Sequence, residues 1–324
     1  MANLRDLSGL CVLIPGSTGL IGTALTHRLK SMGCTIIPLT TSKNAENGSV
    51  RWNPEENEGF LSPFPIEEHK IDAVIHLGGY PLQPIWSEKL KRRVYDSRIK
   101  GARLLAGWLS KLPEFTENGS KRTFISASAT GIYGVKPSDY NGPAFVEQDA
   151  VLGDTGNFLT VVSRDAESAC DMVREKVRVV HPRFGVILDK NGGALQQMLP
   201  PFKMCVGGPM GSGQQMFPWA SLDDTVDALV FLLRNESAVG PFTIVSPGAQ
   251  ETSQKRFAKA LGGALHRPAV VPLPAFVLNL VMGRDAAEAM LLGSCKVDPK
   301  ALRDAGFEFK DDTIENYFAR IFNE

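Results

Sequence analysis

Residues 10–40 restrict the fold more than any other stretch of the 324-residue chain. An apolar run, Leu10–Ile14, breaks into Pro15-Gly16-Ser17-Thr18-Gly19-Leu20-Ile21-Gly22, after which Ile21, Leu25, Leu29 and Met32 recur at helical spacing and Gly33 supplies the stop signal. A second strand-like run, Thr35–Thr40, follows at once. Strand, glycine turn, helix and strand in such a short span form the βαβ unit that opens a nucleotide-binding sheet. The chemistry explains the glycines. A tight turn and close approach of backbone to a pyrophosphate both need residues without a Cβ, and the helix N-terminus turns unpaired N–H groups and a positive dipole end toward the anion.

The same alternation continues with strands expected at Ala73–Leu77, Thr123–Ser128 and Arg178–Arg183. The fold class is therefore α/β, a Rossmann-type doubly wound parallel sheet with a smaller C-terminal α/β region. Pro38 is out of place in an interior strand, because it removes a ladder donor, so a bulge or an early strand end is expected there. The pattern changes near Met198. Residues 1–197 are read as the NADP-binding Rossmann domain, to which later strands are free to return, and 198–324 as a substrate-side region. In the latter, Thr243–Val245 reads as a strand and Thr252 as the cap of a helix reaching Leu265.

Lys+Arg and Asp+Glu both number 35, so neither a nucleic-acid surface nor a polybasic membrane patch is expected. Arg284 and Asp285 close the longest apolar run, which is too short to span a bilayer. With no room for a leader before Leu10, a cytoplasmic protein acting on a small molecule is expected. The five cysteines form no CxxC pair, and no metal site is read.

The nicotinamide cofactor is chosen by the tip of the second strand, where an acid would accept the ribose 2′-hydroxyl of NAD. The residues there are Leu39-Thr40-Thr41-Ser42-Lys43, hydroxyls and one cation, which suit a 2′-phosphate. NADP(H) is the expected cofactor. No arginine takes the usual clamp position just after this strand, and Lys43 is either the phosphate cation or a solvated loop lysine.

Together with the glycine turn, Ala73-Val74-Ile75-His76-Leu77-Gly78-Gly79 and Ser126-Ala127-Ser128-Ala129-Thr130-Gly131-Ile132-Tyr133-Gly134 resemble the extended short-chain dehydrogenase/epimerase superfamily. Ser97-Arg98-Ile99, Gly207-Gly208-Pro209-Met210-Gly211-Ser212-Gly213-Gln214-Gln215, Phe217-Pro218-Trp219, Leu291-Leu292-Gly293-Ser294 and Ala305-Gly306-Phe307-Glu308-Phe309 are similar to one atypical branch of it. This is the "epimerase family protein" group, whose members carry a C-terminal domain of unknown function. The resemblance implies bound NADP(H) and no established substrate. It places Gly16, Ser17, Thr18, Gly19, Leu20, Ile21 and Gly22 around the pyrophosphate, with Thr40 and Thr41, followed by Ser42 and Lys43, near the adenosine ribose. Leu77, Gly78 and Ser126 fall beside the cofactor. Arg98 reaches it from the next helix as a phosphate contact, or else forms a surface ion pair. Superfamily members often dimerise through helices on one face of the sheet, so a homodimer is possible.

Active members of the superfamily use a Tyr and a Lys four residues later on one helix face. Here the five tyrosines, Tyr80, Tyr95, Tyr133, Tyr140 and Tyr317, are followed four residues on by Pro84, Ile99, Pro137, Ala144 and Ile321. The helix that should bear the pair contains Phe158 or Leu159 in the tyrosine position and Val162 or Ser163 in the lysine position. Ser128 is left as the orienting hydroxyl and Tyr133 as a candidate proton donor, with Asp139, Tyr140 and Glu147 in a loop able to cover the nicotinamide. Gln214, Gln215, Phe217, Pro218 and Trp219 read as a pocket wall or as packing between the two regions. The chain is thus an atypical NADP(H)-dependent oxidoreductase or epimerase, or a non-catalytic NADP(H)-binding regulatory or interaction protein.

Overall fold

The computed structural model describes residues 4–323 apart from 44–47, 56–57, 65, 118 and 151–155. Its strands are β1 (Cys11–Pro15), β2 (Thr35–Thr40), β3 (Val50–Asn53), β4 (Glu58–Phe60), β5 (Ala73–His76), β6 (Thr123–Ser126), β7 (Ser128–Ala129), β8 (Arg178–Phe184), β9 (Val186–Asp189), β10 (Trp219–Ser221) and β11 (Gly240–Ile244). The helices are α1 (Leu20–Ser31), α2 (Glu88–Leu109), α3 (Phe158–Ser168), α4 (Gly193–Lys203), α5 (Leu222–Arg234), α6 (Gln254–Ala264), α7 (Ala275–Met282), α8 (Arg284–Ala287), α9 (Lys300–Asp304) and α10 (Ile314–Asn323).

The main sheet runs β11-β8-β6-β5-β1-β2-β3-β4, parallel throughout except for the β3–β4 pair, with β7 also on β8. Strand order reverses between β1 and β5, which opens a crevice at their C-terminal ends. Both faces are covered. Val12 and Ile14 of β1 pack with Leu25 and Leu29 of α1 and Leu229 and Leu233 of α5, while the alternate residues Cys11 and Leu13 pack with Ile99 and Leu105 of α2 and Val162 of α3. This explains why β1 reads as an unbroken apolar run rather than an alternating one. Val12, Leu13 and Ile14 are fully buried, each worth roughly 1.5–3 kcal/mol of apolar transfer.

Pro38 needs neither the bulge nor the early end expected of it. Thr35 N–H donates to Leu10 O, just ahead of β1, so by alternation the nitrogen of Pro38 faces the other side, where β3 begins pairing only at Leu39. No donor is missed there. Expected Thr123–Ser128 divides at Ala127 into β6 and β7, and Ser128 pairs with Arg183 of β8. The second-region helix starts one residue later than expected. Ser253 caps it by accepting from Arg256 N, because the Thr252 hydroxyl is already bonded to Gly248 O and Trp219 Nε1.

Beyond residue 198 the chain returns to the main sheet. β11 joins the sheet through β8, and the cluster of Leu195, Leu199, Phe257, Leu261, Tyr317 and Phe318 also takes in Ile132 and Tyr133 from the first half. Arg178, at the start of β8, points its guanidinium at the C-terminal end of α5 and donates to Leu232 O, Leu233 O, Asn235 O and Ala238 O, each at 3.0 Å. Leu232 O and Leu233 O are carbonyls the helix end leaves unpaired, and a cation there also complements the dipole.

Candidate functional site

At Gly16 the backbone has φ +85°, and a Cβ would stand 2.7 Å from Gly78 N and Leu77 C, so only glycine lets the β1 turn pass beneath the end of β5. At Gly22 a Cβ would lie 2.0 Å from Gly16 O. Gly19 caps α1 without any side-chain bond and no acid sits in the first turn, which leaves the leading amides and the positive dipole end open to an anion. This turn opens into a cavity of about 530 Å³ at the C-terminal ends of β1 and β5.

The cavity brings together many residues expected from sequence. Gly16, Gly19, Leu20, Ile21 and Gly22 line one end, and Leu77, Gly78, Arg98 and Ser128 continue around it. Thr40, Thr41, Ser42 and Lys43 do not line it. They follow the β2 tip, where Ser42 N–H donates to Thr40 Oγ1 and Thr41, Ser42 and Lys43 are exposed. Ser17 and Thr18 lie on the outer side of the turn, Thr18 exposed. Ser126 stands behind the wall, buried, with its carbonyl 3.4 Å from His181 Nδ1.

Arg98 is a cation in an apolar wall. Its Nη1 donates to Tyr80 O at 2.9 Å and Val94 O at 3.2 Å, and burial pulls its pKa down, with no carboxylate among the described residues to offset the loss of water. The close packing of Gly79, where a Cβ would meet the guanidinium carbon at 3.0 Å, fixes the group in place. The surface ion pair considered for Arg98 is not formed among the described residues. His76, at the end of β5, also lines the cavity. Burial, with the Arg98 charge in second place, pushes its imidazole down to about 4, so it is neutral near pH 7, and its ring nitrogens complete no hydrogen bond. His181 by contrast is satisfied between Arg174 and Ser126, its pKa likewise pushed down by burial to about 4.

Ser128 Oγ donates to Glu167 Oε1 at 2.7 Å. Arg183 grips both oxygens of Glu167, at 2.8 and 2.9 Å, and also donates to Tyr133 OH and Glu147 O. Burial would raise the Glu167 pKa, but the Arg183 guanidinium and the Ser128 hydroxyl hold it below the usual carboxylate range. Tyr133 is fully buried and does not line the 530 Å³ cavity. Its hydroxyl lies 2.6 Å from Thr243 Oγ1, and burial pushes its pKa up to about 12. Glu147 leaves its loop for the interior, where its carboxylate accepts from Thr243 N and Ala301 N and ties β11 to α9. Asp139 and Tyr140 stay at the surface, Tyr140 OH donating to Pro143 O.

The α3 face toward the cavity carries Leu159, Val162, Ser163 and Ala166. Leu159 and Ser163, four apart, thus occupy the positions where a Tyr and Lys would stand, and the Ser163 hydroxyl is turned back onto Leu159 O. Across from α3, Gln215, Phe217 and Pro218 form the far wall. The Gln215 amide donates to Met210 O and to Leu291 O, so this residue is both wall and stitch, while Gln214 faces outward and Trp219 is buried in the core. One basic residue escapes a scan of the strand tip. Arg51 stands in register beside Thr40, delivered by β3. A local search cannot find it, because the pairing that brings it there is between strands. Among the described residues there is no cluster able to hold a metal ion and no helix long and apolar enough to cross a membrane.

Comparison with known proteins gives matches over nearly the whole chain. The family model described as NAD dependent epimerase/dehydratase matches residues 12–150, and a domain of unknown function, DUF1731, matches residues 273–321. The epimerase family protein SDR39U1 of Bos taurus is 33% identical over 301 residues, covering 92% of this chain and 95% of that protein. The chain belongs to the epimerase family proteins. A Mycobacterium bovis epimerase family protein is 33% identical over 310 residues, covering 95% of this chain and 96% of its own. Among solved structures, the human epimerase family protein SDR39U1, crystallised with NADPH, superimposes with a TM-score of 0.84 at 29% identity, over 97% of this chain and all of that one. The epimerase family membership agrees with the resemblance read from the sequence motifs, and the C-terminal domain match begins at Leu273, just ahead of α7.

Proposed function

We propose that this epimerase family protein binds NADP(H) in the 530 Å³ cavity and presents a small, unidentified substrate to it. The observation that carries the reading is the glycine turn, whose Gly16 and Gly22 leave no room for a Cβ beneath a helix N-terminus with open amides. The cavity also holds Arg98, a cation with no carboxylate partner among the described residues, as an anionic ligand requires. Gly16 to Gly22 would hold the pyrophosphate, Thr40 to Lys43 the adenosine ribose, and Leu77, Gly78 and Arg98 the remainder. NADPH bound to the human relative points to the same dinucleotide. When bound, the cofactor supplies or accepts a hydride.

The residues of the chain define what can happen beside it. The single Ser128 proton is directed to Glu167, kept ionised by Arg183, so the serine oxygen meets the cavity as a hydrogen-bond acceptor. It would orient a substrate hydroxyl rather than protonate a carbonyl. Leu159 and Ser163 in place of the Tyr/Lys pair remove the ordinary proton donor, and this favours a second reading in which the dinucleotide is held without turnover and sets a binding surface.

Titration of the purified protein with NADPH and NADH tests the cofactor assignment. Tighter binding of NADPH is expected, and failure to bind either dinucleotide would sink it. Incubation with NADPH and a panel of carbonyl and sugar-nucleotide compounds separates the two readings. Oxidation slowed by Ser128→Ala supports chemistry, whereas stabilisation by NADPH without consumption supports the non-catalytic role.

A further inference from the structure

We infer that Arg51 is the residue that selects NADP(H) over NAD(H), by pairing its guanidinium with a phosphomonoester on the adenosine ribose. This rests on the cofactor reading above and adds to it a residue from another strand. Thr40 and Arg51 are partners in the parallel β2–β3 ladder, so their side chains leave the sheet on the same face. Their neighbours Leu39 and Val50 are buried against α2, which puts Thr40 and Arg51 on the opposite face, the one covered by α1. That is the face from which the glycine turn and the α1 N-terminus approach the crevice.

The arginine is held, and no described residue neutralises it. Its backbone is anchored on both sides, Arg51 N–H donating to Ser62 Oγ at 2.9 Å and Arg51 O accepting from Leu61 N at 2.7 Å. The side chain is half-buried, its Nε is enclosed without a hydrogen-bond partner, and no ion pair engages it among the described residues. A guanidinium whose Nε is enclosed and which meets no carboxylate among the described residues has its planar fork of donors to offer, and that fork suits a phosphate dianion. With Thr40, Thr41, Ser42 and the exposed Lys43 at the same strand tip, it makes a cationic, hydroxyl-bearing edge at which a neutral ribose hydroxyl would leave the charge unpaired.

The test compares wild type, Arg51→Gln and Arg51→Lys in titrations with NADPH, NADH, 2′,5′-ADP and 5′-AMP, the fold of each variant being followed by circular dichroism. Arg51→Gln is expected to weaken NADPH and 2′,5′-ADP at least tenfold and leave NADH and 5′-AMP unchanged. Arg51→Lys, which keeps charge but not the fork, should fall between and serves if the glutamine variant misfolds. NADPH binding that survives Arg51→Gln intact would overturn the inference and spare the cofactor reading, as would an equal loss for both dinucleotides. Wild type that binds neither dinucleotide would overturn both.

Discussion

A single methyl group at Gly22 would test the site at its narrowest point. The Cβ of Gly22→Ala would stand 2.0 Å from Gly16 O, so the turn must open to admit it. NADPH affinity should fall at least tenfold, and stability should drop by about 1–3 kcal/mol, the usual cost of overpacking, in a denaturant melt. The two buried imidazoles give a second prediction. His76 and His181 are neutral in the fold down to about pH 4, whereas in the unfolded chain they take up protons near 6.5. Between those values the unfolded state binds more protons, so stability is full above about 6.5 and declines as pH falls toward 4. The slope approaches about 1.4 kcal/mol per pH unit for each imidazole. Thermal melts from pH 7 to 5 should show this, and His181→Gln should flatten it; a flat profile in the wild type would contradict the burial of these rings.

Elements, rather than residues, decide what could be read in advance. The strands β1 and β5 were legible because their apolar runs are buried on both faces, and the glycine turn because its spacing is local. β3, β4, β9 and β10, of three or four residues each, were not, since they do not sit in the regular strand–helix alternation that marked β5 and β6. Sequence also could not tell that Tyr133, placed in a conspicuous motif, points away from the cavity into an Arg183 and Thr243 network, or that Glu147 is a buried tie. Both facts depend on contacts between residues far apart in the chain. Tyr133→Phe is accordingly expected to cost about 1–2 kcal/mol, by stranding buried partners, while NADPH affinity stays within twofold. A selective loss of NADPH turnover at unchanged stability would instead give Tyr133 a direct part in chemistry.

At the scale of the molecule, occupancy and stability should be linked. A ligand that binds only the folded chain, present at 100 times its Kd, adds about 2.7 kcal/mol, so NADPH should raise the melting temperature in a concentration-dependent way, and NADH less so at equal concentration. The far wall of the cavity is built by Gln215, Phe217 and Pro218, and Gln215 is bonded to Leu291, so this gain should extend into the C-terminal region. The pairing of β11 with β8 sets a limit on how the protein can be divided. A fragment ending at residue 197 would expose one ladder of β8 and strip α5 from Val12 and Ile14, leaving a sticky margin beside a greasy face. Such a fragment should precipitate or self-associate on expression, however well its glycine turn is preserved.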